Sequence, residues 1–127
     1  MNNDMKTKIR STLEKCWSSK TCLIFTENMP SYGQCAQTSI VINEIFGGEI
    51  LKTSGWHGEG RHFYNQIDGE RCDFTADQFT VNPDYCWKIE YSDIPSSIEE
   101  AATEAYELQV NNLRSAFKRE WEAANAG

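Results

Sequence analysis

Residues 62–75 read HFYNQIDGERCDFT: two short runs rich in aromatic and branched side chains, meeting at Asp68-Gly69. Asp-Gly suits the positive-φ positions of a tight hairpin turn. The spacing therefore predicts a strand over His62–Ile67, a turn, and a return strand over Arg71–Thr75. In that hairpin Ile67 pairs with Glu70 and His62 lies opposite Thr75. Asp73 then falls diagonal to His62 on the same face, where a carboxylate and an imidazole can meet. A one-residue slip would carry Asp73 to the other face. Upstream, Glu49–Thr53 reads as another strand, and Ser54–Gly60, with three glycines in seven residues, as a loop.

Around these strands the apolar period changes to that of helices. Ala36, Ile40, Val41, Ile45 and Phe46 form a helical stripe that Gly47-Gly48 closes. Ile9, Leu13, Cys16 and Trp17 predict an amphipathic helix over about Lys6–Trp17, and Asn28–Gly33 is turn-rich and reads as a loop. Ala76–Phe79 reads as a helical turn. Ser96 with Glu99 makes a capping-box pattern, and the apolar residues from Ile98 to Trp121 predict one long helix or two shorter ones. The order helix, loop, helix, three strands, helix is α+β, with an antiparallel sheet packed on helices. The charged side of the last segment, about residues 96–124, reads as a solvated face. Its apolar side is long enough for a homodimer seam or a protein partner.

The chain has 127 residues, the length of one domain (1–127), and a chain of this size buries about two-thirds of its unfolded surface. Twelve basic against nineteen acidic residues leave a net charge of −7, which weighs against nucleic acid and anionic membrane surfaces as partners. No apolar run approaches the roughly 20 residues of a membrane span. The first residues, MNNDMKTKIRSTLEKCW, lack the apolar stretch of a signal peptide. A cytoplasmic protein is expected. The five cysteines (Cys16, Cys22, Cys35, Cys72, Cys86) are odd in number and contain no C-x-x-C pair. Paired-cysteine zinc sites and a complete disulfide framework are thereby disfavoured, and most of the five should be small buried side chains.

One cysteine stands apart. In SYGQCAQTS, residues 31–39, Cys35 opens a predicted helix directly after a glycine-bearing loop. Unpaired backbone N–H groups and the positive end of the helix dipole favour a thiolate there, and the same N–H groups can hold an oxyanion. A thiol nucleophile needs an imidazole, and that imidazole needs a third group to orient it. His62 and Asp73 fit those roles. His57, in the Gly-rich loop, is the competing base. The bland readings are a half-buried strand histidine at 62 and a turn-capping carboxylate at 73. Trp56 beside His57 reads as a substrate-stacking lid or a loop tryptophan packed on the core, and Tyr32 as a residue lining the site. Asn65 lies on the strand face opposite His62. Cys35, His57, His62, Cys72 and Asp73 show no tight metal-ligand spacing, so no metal is assigned.

Further pieces resemble a known family. Tyr32-Gly33-Gln34-Cys35 resembles the Gly-Gln-Cys nucleophile motif of transglutaminase-like enzymes, whose papain-like superfamily has a Cys, His, Asp/Asn order. Trp17, Gly33–Cys35, Phe46–Leu51, His62–Ile67 and Asp73–Phe79 together resemble the small, uncharacterised bacterial YunG-like family over about residues 16–79. The resemblance implies a compact papain-like, transglutaminase-like minimal core, with Cys35 as nucleophile, His62 as base and Asp73 as orienting acid. Gln34 stands beside the cysteine as in transglutaminases and, with Tyr32, Trp56 and His57, is a candidate for substrate or oxyanion contacts. Two departures are a Cys–His separation of only 27 residues and Ala36 where those enzymes carry a tryptophan after the cysteine.

These readings combine into a thiol hydrolase or acyltransferase acting on an amide, isopeptide or ester bond of a peptide, protein or small acyl substrate. No cofactor is implied. The alternative is a non-catalytic protein-binding module, a phage or bacterial inhibitor or effector, built on the same core.

Overall fold

The computed structural model describes residues 1–54, 61–77 and 90–126. Trp56, His57 and Cys86, most of the predicted Gly-rich loop and the Gln78-Phe79 end of the predicted turn lie outside them.

Helix α1 (Asn3–Cys16) starts on Asn2, whose side chain accepts from the Met5 amide at 2.8 Å. It buries Ile9, Leu13 and Cys16, the apolar face read from the sequence. A succession of turns then fills residues 18–33. Its amides at Thr21, Phe25, Met29 and Tyr32 each donate to the carbonyl three residues back. The chain enters α2 (Cys35–Phe46) from this segment and leaves it through Gly47 and Gly48, both at φ +79°.

Strands β1 (Glu49–Ser54), β2 (Arg61–Ile67), β3 (Glu70–Cys72) and β4 (Ile94–Ser96) form an antiparallel sheet in the order β3-β2-β1-β4. The hairpin register is the one the Asp-Gly turn dictates: Ile67 pairs with Glu70, Gln66 with Arg71 and Asn65 with Cys72. The return strand, however, stops at Cys72 and does not run to Thr75. Asp73 accepts the Thr75 amide on Oδ1 at 3.2 Å, and this side-chain turn draws the chain off the ladder. His62 accordingly has Thr53 of β1 as its strand partner, not Thr75.

Strand β4 has no counterpart in the sequence reading. It lies at the sheet edge, the place where Pro95 costs no ladder bond. The helix cap after it is Ser97, which accepts the Glu100 amide at 3.1 Å, one residue beyond the predicted Ser96. The C-terminal segment resolves into two helices, α3 (Ile98–Ala102) and α4 (Glu107–Asn125). Ile9 and Leu13 of α1, Val41 and Ile42 of α2, Phe63 of β2, and Leu113 and Phe117 of α4 are fully buried in one cluster. Among the described residues no helix is long and apolar enough to cross a membrane.

Candidate functional site

Cys35 owes its place to the turn before it. Gly33 takes φ +75°, and a Cβ there would meet the Cys22 sulfur at 2.7 Å and Ile24 Cγ1 at 2.9 Å. Only glycine fits that corner. The first amide to donate to a carbonyl four residues back is that of Thr38, to Gln34, at 3.0 Å. The amides of Cys35, Ala36 and Gln37 thus precede the intrahelical ladder, which leaves them directed toward a group in front of the helix. Cys35 is partly exposed, whereas Cys16, Cys22 and Cys72 are buried. Burial pushes the Cys16 thiol up to about 11 and raises those of Cys22 and Cys72 as well.

His62 is 1% exposed, and its Nε2 lies 2.7 Å from Asp73 Oδ2. Burial opposes the imidazolium. Hydrogen bonds to Asp73 and to the Cys35 side chain, with the charges of both, outweigh that cost and bring the His62 pKa up to about 9. Asp73 is held on both oxygens. Oδ1 accepts from the Thr75 amide and hydroxyl at 3.2 and 3.4 Å, and Oδ2 accepts from the Tyr91 hydroxyl at 2.8 Å as well as facing His62. The two sequence readings of Asp73, turn cap and histidine partner, are therefore both realised, one on each oxygen. The His62 ring is stacked on Tyr64, with centroids 5.8 Å apart.

His62 of β2 meets Asp73 of the turn after β3 directly, and Cys35 at the start of α2 lies near enough to raise the His62 pKa. Gln34 precedes Cys35 as the last residue before α2. It is fully buried, and its Oε1 accepts from Thr21 Oγ1 at 3.0 Å and Gln37 Nε2 at 3.2 Å, tying the preceding turns to the helix. Tyr32 is half-buried in the turn leading to Cys35. Trp56 and His57 fall outside the described residues. Asn65, on the face away from His62, donates to the Ser39 carbonyl at 3.0 Å and pins α2 to the sheet. Among the described residues no three His, Cys, Asp or Glu side chains converge as a metal site would require.

Tyr91 was not found from the sequence. It lies in an irregular stretch before β4, 18 residues beyond Asp73, with no motif around it. The Arg71 guanidinium lies 4.2 Å from its ring centroid, and the Tyr64 ring packs edge-on at 4.9 Å. Arg71 and the Tyr64 hydroxyl both donate to Asp93, each at 2.9 Å on Oδ1.

A family model described as YunG protein matches residues 5–122. "Uncharacterized protein YunG" of Bacillus subtilis (strain 168) is 43% identical over 111 residues, which is 87% of this chain and 90% of that protein. No solved structure gives a significant match. The chain belongs to the YunG family.

Proposed function

We propose that this member of the YunG family is a cysteine hydrolase or acyltransferase on a papain-like core, acting on an amide, isopeptide or ester bond. The observation that carries the reading is a buried histidine whose Nε2 is held by a carboxylate at 2.7 Å and whose pKa is raised both by that carboxylate and by the Cys35 side chain at a helix start. With its pKa near 9, His62 is protonated at neutral pH, and the N–H not engaged by Asp73 serves the Cys35 sulfur.

In the proposed reaction the Cys35 sulfur attacks the substrate carbonyl. The amides at the start of α2 take the developing oxyanion, and His62 gives its proton to the leaving amine or alcohol as the carbonyl–heteroatom bond breaks. Water or an acceptor amine then attacks the thioester, returns a proton to His62 and releases the thiolate. Asp73 keeps the imidazole in one orientation throughout.

The test has two arms on separate samples: brief labelling with iodoacetamide at pH 6.5, and incubation of unalkylated protein with p-nitrophenyl acetate, each read by peptide mass spectrometry. Cys35 should label about tenfold faster than Cys16, Cys22 and Cys72, and an acetyl group should accumulate on Cys35 alone. His62→Ala should abolish both. Equal labelling of the cysteines with no acetylated Cys35 would overturn the enzyme reading and favour a binding module.

A further inference from the structure

We propose that Tyr91 is a positioning residue for the Asp73–His62 pair, delivering the second hydrogen bond that keeps the Asp73 carboxylate turned toward the imidazole. The proposal rests on the reading of Cys35, His62 and Asp73 as a reactive unit, and adds to it a residue from outside the Cys-His-Asp pattern.

Each link has a defined geometry. Oδ2 of Asp73 receives the Tyr91 hydroxyl at 2.8 Å, close to its 2.7 Å contact with His62 Nε2. The bonds that Thr75 makes to Oδ1 are longer, at 3.2 and 3.4 Å, so among the described residues the phenol is the shortest donor to this carboxylate besides His62 itself. The burial that raises the Tyr91 pKa keeps its hydroxyl protonated, hence a donor, throughout the neutral range. Tyr91 is in turn clamped between the Arg71 guanidinium and the edge of Tyr64, and Arg71 and Tyr64 are joined through Asp93. The segment bearing Tyr91 is moored to β1 beside His62, where Thr53 donates to the Glu90 carbonyl at 2.7 Å and accepts the Ser92 amide at 3.0 Å. The strand partner of His62 and the donor to its carboxylate thus belong to one hydrogen-bonded patch.

Without the phenol, Asp73 keeps among the described residues its contact to His62 and the two longer Thr75 bonds on the far oxygen, and turns about its Cβ–Cγ bond, lengthening the contact to His62. Among the described residues, the groups facing His62 are Asp73 after β3, Cys35 of α2, Tyr64 of its own strand, and Tyr91 through Asp73. Of these, only the Tyr91–Asp73 bond is removed by Tyr91→Phe, which keeps the ring under Arg71.

The experiment is an NMR titration of the imidazole protons, simple in a chain with two histidines and assigned with His57→Asn. Tyr91→Phe should lower the His62 midpoint by about one pH unit, toward 6.5, and slow Cys35 alkylation at pH 7.5 about tenfold. Tyr64→Phe breaks the neighbouring phenol–Asp93 bond but leaves every donor to Asp73 in place, and should leave the midpoint where it is. An unchanged or raised midpoint in Tyr91→Phe would overturn the proposal. So would equal shifts in the two variants, which would mark general loosening. A wild-type Cys35 that labels no faster than the buried cysteines would count against the enzyme reading alone, because the His62 midpoint reports on Asp73 whether or not the thiol is used.

Discussion

His62 carries a stability signature as well as a chemical one. Its pKa is about 9 in the folded protein against 6.5 for an unperturbed imidazole, because Asp73 and Cys35 together outweigh the cost of burial. A raised basic pKa stabilises the fold fully below about pH 6.5, and that contribution is lost as pH climbs through 9. Urea melts of the wild type should therefore lose on the order of 2 kcal/mol between pH 6 and 8.5, while His62→Gln should show a much flatter profile. Taking the difference between the two removes the buried cysteines, which act at higher pH. A wild-type profile as flat as that of the variant would show that the imidazole gains nothing from Asp73. At this scale the sequence was informative where spacing was short. The Asp-Gly turn set the register of the hairpin from Asn65–Cys72 to Ile67–Glu70, and Gly33 before Cys35 marked the helix start. Asp73, however, reaches His62 from the turn after β3 and not from a ladder diagonal. Tyr91 was illegible because its hydrogen bond to Asp73 depends on tertiary packing of an irregular segment, which leaves no period to read.

Among the elements, the junction between α2 and β1 carries the strictest demand. Gly47 and Gly48 both take φ +79°, but their surroundings differ. A Cβ on Gly47 would meet nothing within 4 Å, whereas one on Gly48 would collide with the Gln66 carbonyl oxygen of β2. Gly47→Ala should cost about 1–3 kcal/mol, the strain of an L-residue in that conformation. Gly48→Ala adds a backbone clash to the same strain and should cost distinctly more, shifting β1 against β2 near Gln66. Urea melts of the two variants, with amide exchange at Gln66 and Ile67, would check this; equal costs would mean the sheet yields without penalty. Helical elements were legible because apolar periodicity extends over several turns in α1, α2 and α4. Strand β4 was not, because three residues containing Pro95 offer no alternation to detect and its pairing to Ile50–Lys52 is a long-range contact. The shortening of β3 has a local cause too, since Asp73 takes a turn bond that competes with the ladder.

Across the whole molecule, α1 is the member that joins the core to the site without contributing a reactive group. Arg10 reaches from α1 to the turn that follows Asp73, donating to the Phe74 carbonyl at 2.8 Å and to both Asp77 oxygens at 2.9 and 3.0 Å. Its guanidinium lies 4.9 Å from the Trp17 ring centroid, and the Trp17 indole donates to Thr38 Oγ1 in the first turns of α2 at 3.0 Å. Trp17 thus touches both the mooring of the Asp73 turn and the helix that bears Cys35, while being 3% exposed in the main core cluster. Trp17→Ala should cost about 3–5 kcal/mol, a large share of the roughly 5–15 kcal/mol that holds a domain together. Cys35→Ala, at a partly exposed helix start where alanine is a good helix former, should cost under about 2 kcal/mol. Urea melts and Cys35 labelling separate the two effects. Trp17→Ala should lower the midpoint yet, at urea concentrations where it remains folded, keep preferential labelling at Cys35. Cys35→Ala should keep the midpoint and lose the acetyl-enzyme formed from p-nitrophenyl acetate. A Cys35→Ala protein that still formed an acetylated species at the wild-type rate would remove the thiol from the chemistry, and a Trp17→Ala protein as stable as the wild type would remove Trp17 from the core.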